Sequence, residues 1–154
     1  MADKPAVVGG CFCGKVAYKT LKPVTGMSFC YCSMCQSVHG APFAAFTNIN
    51  RNDLVWTRTE GLLDLRLSNV ATRTVCRSCH APITMVYNAA PDEPGIVAAS
   101  IDEEKSTAAI PEVKSHIYVN EKPSWYKITD NAPQHLGPPP YLESWLEGKR
   151  AVKL

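Results

Sequence analysis

The stretch FCYCSMC, residues 29–35, decides the interpretation of this chain because it gathers three cysteines within six residues. So short a segment can fold as one local loop, and that loop can present the sulfurs of Cys30, Cys32 and Cys35 to a single ion. Cysteines that serve only as small buried apolar groups do not cluster in this way. The stretch therefore predicts a metal site with three thiolate ligands.

The other four cysteines form two pairs, in GGCFCG at residues 9–14 and in VCRSCH at residues 75–80. In a C-x-C segment on a strand the two side chains face opposite ways, so a bend is needed to bring both sulfurs to one ion. Gly9, Gly10 and Gly14 surround the first pair and supply the conformational freedom for that bend. We expect each pair to form a metal-binding turn.

Zinc is the metal that these motifs favour. The cysteine count of seven is odd, so complete internal disulfide pairing is excluded. Thiolate ligands select zinc, copper(I) or iron–sulfur clusters, and C-x-C and C-x-x-C turns in a mainly β chain are typical of zinc. We expect two zinc ions per chain.

Spacing alone leaves the division of the ligands open. Four thiolates close a tetrahedral zinc site and make it structural, whereas three leave a position for water or substrate. One division joins the pair Cys11 and Cys13 to the pair Cys76 and Cys79, leaving Cys30, Cys32 and Cys35 as the open, catalytic site. The spacing equally allows a closed site in which two C-x-x-C turns supply Cys32, Cys35, Cys76 and Cys79.

Length, charge and composition indicate an ordinary globular protein. The 154 residues suit a single domain over residues 1–154, and 45% of them are hydrophobic. A net charge of +2 is too small to indicate a surface that binds nucleic acid or a membrane. We find no signal peptide and no apolar run long enough to span a bilayer, so we expect a cytoplasmic protein with reduced cysteines. The oligomeric state is not readable from the sequence.

The secondary structure is predicted to be mainly β, in antiparallel sheets, because 12 prolines and 9 glycines divide the chain into short segments. The predicted strands cover residues 16–20, 27–31, 43–49, 54–57, 62–67, 83–87, 96–100 and 116–119. A short helix is predicted over residues 33–38 and another over residues 141–147.

These cysteine groups, with HIYVNEKPSWYKITDNAPQ at residues 116–134, resemble the family of glutathione-dependent formaldehyde-activating enzymes, which shares the centromere-protein-V domain. The resemblance covers about residues 9–134 and keeps the order and spacing of every cysteine group. It implies a β-tent fold of antiparallel sheets around a structural zinc, with few short helices. It also implies Cys11, Cys13, Cys76 and Cys79 as ligands of the structural zinc, and Cys30, Cys32 and Cys35 as ligands of the catalytic zinc. The family usually has glycine where this chain has His80, which either perturbs the turn or takes a strained left-handed conformation.

The resemblance implies a zinc-dependent carbon–sulfur lyase or synthase that acts on a thiol such as glutathione and on an aldehyde or another electrophile. The named reaction of the family joins glutathione to formaldehyde and gives S-(hydroxymethyl)glutathione. A thiol at an open zinc position loses its proton at neutral pH and becomes a nucleophile. No residue that binds a further cofactor and no general acid or base is identifiable from the sequence.

Two alternatives stay open at this point. The chain could be a non-catalytic zinc module that binds a protein partner, or a histidine could close the second zinc site and make it structural. His39 lies four residues after Cys35, but we expect it to be structural, and we expect His116 and His135 to be packing or surface groups. Four aromatic residues are candidates for a pocket wall but are predicted to belong to the core. They are Phe43, Phe46, Trp56 and Trp125.

Overall fold

A computed structural model describes residues 4–140 and Glu143 of this chain. It contains ten strands and one α-helix among these residues. The strands are β1 (Val7–Gly10), β2 (Ala17–Thr20), β3 (Thr25–Cys30), β4 (Ala44–Asn48), β5 (Leu54–Arg58), β6 (Leu62–Leu65), β7 (Ala71–Cys76), β8 (Pro82–Tyr87), β9 (Gly95–Val97) and β10 (Ser115–Ile117); helix α1 is Ser33–His39. Short 3-10 turns occupy Arg51–Asp53, Ala98–Ser100 and Val119–Glu121.

The strands form two sheets. A small sheet has the order β1-β2-β5, and a large sheet has the order β10-β3-β4-β9-β8-β7-β6. Neighbouring strands are antiparallel except for β10 and β3, which pair in parallel, with Ile117 opposite Cys30. The predicted mainly β fold of antiparallel sheets is confirmed, with this one parallel pair among the described strands. The long connection between β3 and β10 allows the parallel arrangement, which a short hairpin loop could not.

The large sheet is buried on both of its faces. One face packs against the small sheet, and Ile83 and Ile96 lie in the core between the two sheets. Met85 and Val97 contact a second cluster that contains Cys30 and Cys35. Val97 is the next residue after Ile96, whereas Met85 is two residues after Ile83 and faces the other way because the β7–β8 pairing has a bulge at Ile83. Side chains of a strand alternate between the two faces of a sheet, so these strands supply both clusters at once.

The predicted elements agree with the structure except at their ends and at two omissions. Each of the eight predicted strands overlaps an observed one, but the last two observed strands end earlier than predicted, since Ala98–Ser100 and Val119–Glu121 are 3-10 turns. Strands β1 and β7 were not predicted. Helix α1 confirms the prediction for residues 33–38, whereas the helix predicted for 141–147 lies, apart from Glu143, outside the described residues.

Candidate metal centres

One group of four cysteine sulfurs joins the small sheet to the large one, because Cys11 follows β1 and Cys76 ends β7. The sulfurs of Cys11, Cys13, Cys76 and Cys79 all lie within 4.8 Å of one another. The Sγ of Cys13 is 3.6 Å from the Sγ of Cys11 and 3.6 Å from that of Cys76. Sulfurs held tetrahedrally at about 2.3 Å from one zinc ion are about 3.8 Å apart. The spacing fits a metal ion, and this group could hold one.

Backbone amides around this four-thiol group point at the sulfurs. The Val16 N–H donates to the Sγ of Cys11 at 3.2 Å. The Ala81 N–H lowers the pKa of the Cys79 thiol to about 6, since an amide dipole stabilises a thiolate. Each turn is closed by a backbone hydrogen bond of 2.9 Å, from Cys11 to Val16 and from Cys76 to Ala81. The backbone thus stabilises the thiolate form of Cys11 and Cys79, which is the form that could bind a metal ion.

The turns need the residues that the sequence places there. Gly14 has φ +80°, and a Cβ on Gly10 would lie 2.3 Å from the Val16 carbonyl oxygen, as expected for a bend that only glycine permits. His80 has φ 62°, so of the two alternatives for this residue the strained left-handed conformation is the one observed. Its N–H donates to the Cys76 carbonyl at 2.8 Å and closes the turn.

A second group brings together Cys30, Cys32 and Cys35, whose sulfurs also lie within 4.8 Å of one another. We call it the trio. Cys30 ends β3, Cys32 caps helix α1 by accepting from the Cys35 N–H, and Cys35 lies in the first turn of the helix. The structure therefore separates Cys32 and Cys35 from the pair Cys76 and Cys79. No other cysteine, histidine or carboxylate of the described residues joins the trio, and the trio could hold a metal ion.

A buried arginine, Arg73 of β7, contacts the trio and was missed by sequence analysis. Its Nη2 donates to the Sγ of Cys35 at 3.3 Å, and the side chain is only 6% exposed. Hydrogen bonding from the Cys30 and Cys32 thiols, with the Arg73 charge added, lowers the pKa of Cys35 to about 3. Burying a guanidinium is costly unless an anion faces it, so its position indicates that the trio carries negative charge.

The segment after β10 holds the trio loop in place. The hydroxyl of Tyr31 bonds to Nδ1 of His116 at 2.9 Å, and Nε2 of His116 bonds to a carboxylate oxygen of Asp130 at 2.9 Å. The side-chain amide of Gln36 donates to the Tyr31 carbonyl at 2.6 Å and to the Glu121 carbonyl at 2.8 Å. Because Tyr31 lies between two trio cysteines, this network holds the loop that carries them. It gives His116 the packing role that the sequence suggested.

His39 packs beside the trio without belonging to it. Its ring meets that of Phe46 edge to face, with centroids 5.8 Å apart. Burial, and then the charge of Arg73, lowers its pKa to about 4. A neutral imidazole packed on an aromatic ring fits the structural role expected for this residue.

The four aromatic residues predicted to belong to the core differ in their surroundings. Phe46 is buried beside the trio, while Trp56 packs edge to face on Tyr18 on the other side of the large sheet. Phe43 stacks on Phe29 with ring centroids 4.1 Å apart. Trp125 is 73% exposed, so the prediction that it belongs to the core is wrong. It follows Pro123 in a segment without regular structure, where no strand turns it inward.

A cavity of about 680 Å³ adjoins the trio, and Cys30, Phe46 and Tyr87 are among the residues that line it. Lys114 and Glu93 also line the cavity and are exposed. Tyr118 packs against the same cluster as Tyr87. Burial, and then the nearby thiols, raises the pKa of Tyr118 to about 12, and burial raises that of Tyr87 well above its usual value.

The fold and the two thiol groups define a mainly β protein with two sites that could hold metal ions. The family model described as glutathione-dependent formaldehyde-activating enzyme matches residues 6–121, and the chain belongs to this family. Solved structures similar to the chain include a crystal structure of a Rhodobacter sphaeroides protein, with a TM-score of 0.51 and 25% identity, over 60% of this chain and 85% of that one. No curated protein matches the chain. Within the described residues, no helix has the length and apolar character needed to cross a membrane.

Proposed function

We propose that this chain is a zinc-dependent carbon–sulfur lyase or synthase that joins a thiol such as glutathione to an aldehyde, as in the formation of S-(hydroxymethyl)glutathione. The observation that carries the proposal is a group of three cysteine sulfurs beside a cavity of about 680 Å³, with no fourth protein ligand among the described residues. The family supports a glutathione-related reaction with formaldehyde. We further propose a single domain over residues 1–154 that acts in the cytoplasm, where its free cysteines stay reduced.

Two zinc ions per chain follow from the donor sets. The four-thiol group of Cys11, Cys13, Cys76 and Cys79 would hold a closed structural zinc, and the trio of Cys30, Cys32 and Cys35 would hold a catalytic zinc with one free position. When bound at the trio, zinc supplies a positive charge that favours the deprotonated form of an arriving thiol. Three thiolates around a doubly charged ion leave one net negative charge. The buried guanidinium of Arg73, which contacts Cys35, would balance that charge.

The cavity has the size and charges for a small peptide thiol. Its volume of about 680 Å³ falls within the usual range for ligand sites. Glutathione carries two carboxylates and one ammonium group, and Lys114 and Glu93 offer charges of both signs at the cavity. Cys30 lines the same space, so a thiol anchored by its charged ends can direct its sulfur toward the trio.

The test combines metal content with coordination. We expect two zincs per chain by elemental analysis, and zinc-edge absorption should show one of them gaining a sulfur ligand when glutathione is added. Cys35→Ser should retain the fold and one zinc and should lose turnover of glutathione with formaldehyde. Cys79→Ser should lower thermal stability as well, since its zinc joins the two sheets.

A second function, a zinc module that docks on a protein, is favoured by one observation. Phe12, between two cysteines of the four-thiol group, is 95% exposed. Zinc coordination that ignores glutathione, together with unchanged turnover in Cys35→Ser, would overturn the enzyme proposal and favour this one. Binding of a partner would then depend on Phe12 and not on the trio.

A further inference from the structure

Two tyrosines lie next to the trio on the same face of the large sheet. Tyr87 ends β8 and lines the cavity together with Cys30. Tyr118 directly follows β10, and both rings pack against the cluster that contains Cys30 and Cys35. Neither residue lies in a cysteine motif, and neither was a candidate from the sequence.

Both tyrosine side chains are half-buried beside the trio. Tyr87 shares the cavity wall with Cys30, and Tyr118 directly follows Ile117, which pairs with Cys30 between β10 and β3. Other buried tyrosine hydroxyls are bonded, that of Tyr18 to Ser100 at 2.8 Å and that of Tyr31 to His116 at 2.9 Å. In the part of the chain that the structure describes, no protein partner is found for the hydroxyls of Tyr87 and Tyr118. Two phenols that have no hydrogen-bond partner among the described residues therefore pack beside the trio.

Tyr118 is also held in a backbone conformation that aromatic residues avoid. Its φ is 55° and its ψ is 39°, in the left-handed region. The Tyr118 N–H donates to the Gly137 carbonyl at 2.8 Å, and its carbonyl accepts from the Glu121 N–H at 3.0 Å. Strain of this kind persists where the surroundings fix it, and it concentrates at functional sites. Here it sets the ring of Tyr118 against the trio cluster.

We propose that the hydroxyls of Tyr87 and Tyr118 bind the oxygen of the electrophile, which makes both of them catalytic residues. This inference rests on the proposed function. The thiolate sulfur attacks the carbonyl carbon, so that a C–S bond forms while the π bond of C=O breaks and its electron pair moves to the oxygen. The two hydroxyls donate hydrogen bonds to that oxygen as its charge grows. The oxygen then takes a proton from water and becomes a hydroxyl. This uptake balances the proton that the thiol released to water when it bound.

Phenols suit this role because they donate without competing as nucleophiles or metal ligands at neutral pH. Their interaction with the oxygen strengthens as its charge develops, so it favours the transition state over bound thiol. In the reverse direction the same donors stabilise the oxygen of the adduct while the C–S bond breaks.

The first test is kinetic, with Tyr87→Phe, Tyr118→Phe and the double variant as zinc-loaded full-length proteins. We expect kcat to fall about 10²-fold for each hydroxyl and further for the pair, as when a donor to a developing oxyanion is removed. The KM for glutathione should change less than about twofold, because its charged ends, and not the two tyrosine hydroxyls, anchor it in the cavity. Tyr18→Phe is the matched control, since it removes a tyrosine hydroxyl on the opposite side of the large sheet.

The second test measures binding by calorimetry and does not depend on turnover. S-acetylglutathione carries a carbonyl oxygen where S-isopropylglutathione carries a methyl group of similar size. We expect wild type and Tyr18→Phe to prefer the acetyl compound about tenfold, and the double tyrosine variant to bind both compounds equally. An unchanged preference and an unchanged kcat in the double variant would overturn this inference while leaving the proposed function intact. Failure of wild type to bind glutathione and to turn it over would overturn both.

Discussion

Replacing Arg73 by methionine should loosen the proposed zinc at the trio and leave the one at the four-thiol group in place. Arg73 is 6% exposed and donates to Cys35 at 3.3 Å. Methionine preserves the apolar stem within the sheet but removes both the donor and the positive charge. A hydrogen bond to a charged group contributes about 1.5–3 kcal/mol. Since about 1.4 kcal/mol corresponds to a tenfold change in affinity, zinc at the trio should bind about 10- to 100-fold more weakly.

The assay is competition with a chromophoric chelator at pH 7.5, which resolves a weakly held zinc from a tightly held one. Arg77→Met is the matched control, because Arg77 is exposed and follows a cysteine of the four-thiol group, and its guanidinium donates to the Leu62 carbonyl and to no sulfur of the described residues. Arg73→Lys restores the charge without the planar guanidinium and should give an intermediate affinity. If Arg73→Met folds and releases both zincs as wild type does, the guanidinium is not the counter-charge of the trio. Should it fail to fold, Arg73→Lys carries the test, and wild-type zinc release by that variant would show that the charge suffices without the guanidinium geometry.

Three further changes test other parts of the structure. His80→Gly should raise the free energy of unfolding by about 0.5–1 kcal/mol, measured by urea titration at unchanged zinc content, because glycine accepts the φ of 62° without strain. Gly61→Ala should lower thermal stability and zinc content, since its Cβ would lie 2.8 Å from the Sγ of Cys76, while Gly137→Ala, whose Cβ would meet nothing within 4 Å, should behave as wild type. Stability should also fall between pH 6.5 and 5.5, because the pKa of His39 is lowered to about 4 and the unfolded chain takes up the proton first. In urea titrations, the free energy of unfolding of His39→Phe should fall over this pH range by about 0.5–1 kcal/mol less than that of wild type, allowing for the partial exposure of the ring.

The cysteine groups were readable from the sequence because their ligand geometry is local. A C-x-x-C turn or three cysteines within six residues can meet only in a few ways, so spacing alone predicted two sites. The division between them was not local, because it depends on which turn meets which in the fold. The structure separates the Cys76 and Cys79 turn from the trio, an arrangement that only the family resemblance implied.

The residues that surround the sulfurs could not be predicted from the sequence, for the same reason in each case. Strand β7, with the sequence ATRTVC, places a charged side chain at an inward position, so the apolar alternation that marks a half-buried strand is interrupted at Arg73. Its burial is favoured only by thiols about 40 residues earlier in the chain. Tyr87 and Tyr118 read as ordinary strand-end aromatics, and their convergence on the trio appears only when β8 and β10 take their places in one sheet. A sequence pattern relates residues that are close together along the chain, whereas these contacts join distant segments.

Strand β7 links the two candidate centres and makes their dependence on each other unequal. Arg73 faces the trio, while Cys76, an odd number of residues later on the same strand, faces the opposite side of the sheet and the four-thiol group. A metal ion that holds Cys76 therefore also fixes the register that brings Arg73 to Cys35, since a slip of one residue would turn every side chain of β7 to the other face. The trio does not stabilise the four-thiol group in the same way. Its three cysteines come from one loop, which helix α1 and the segment after β10 hold in place. Losing the four-thiol centre should thus impair both sites, whereas emptying the trio should leave the two sheets joined. This order suits a protein in which one zinc builds the fold and the other exchanges ligands.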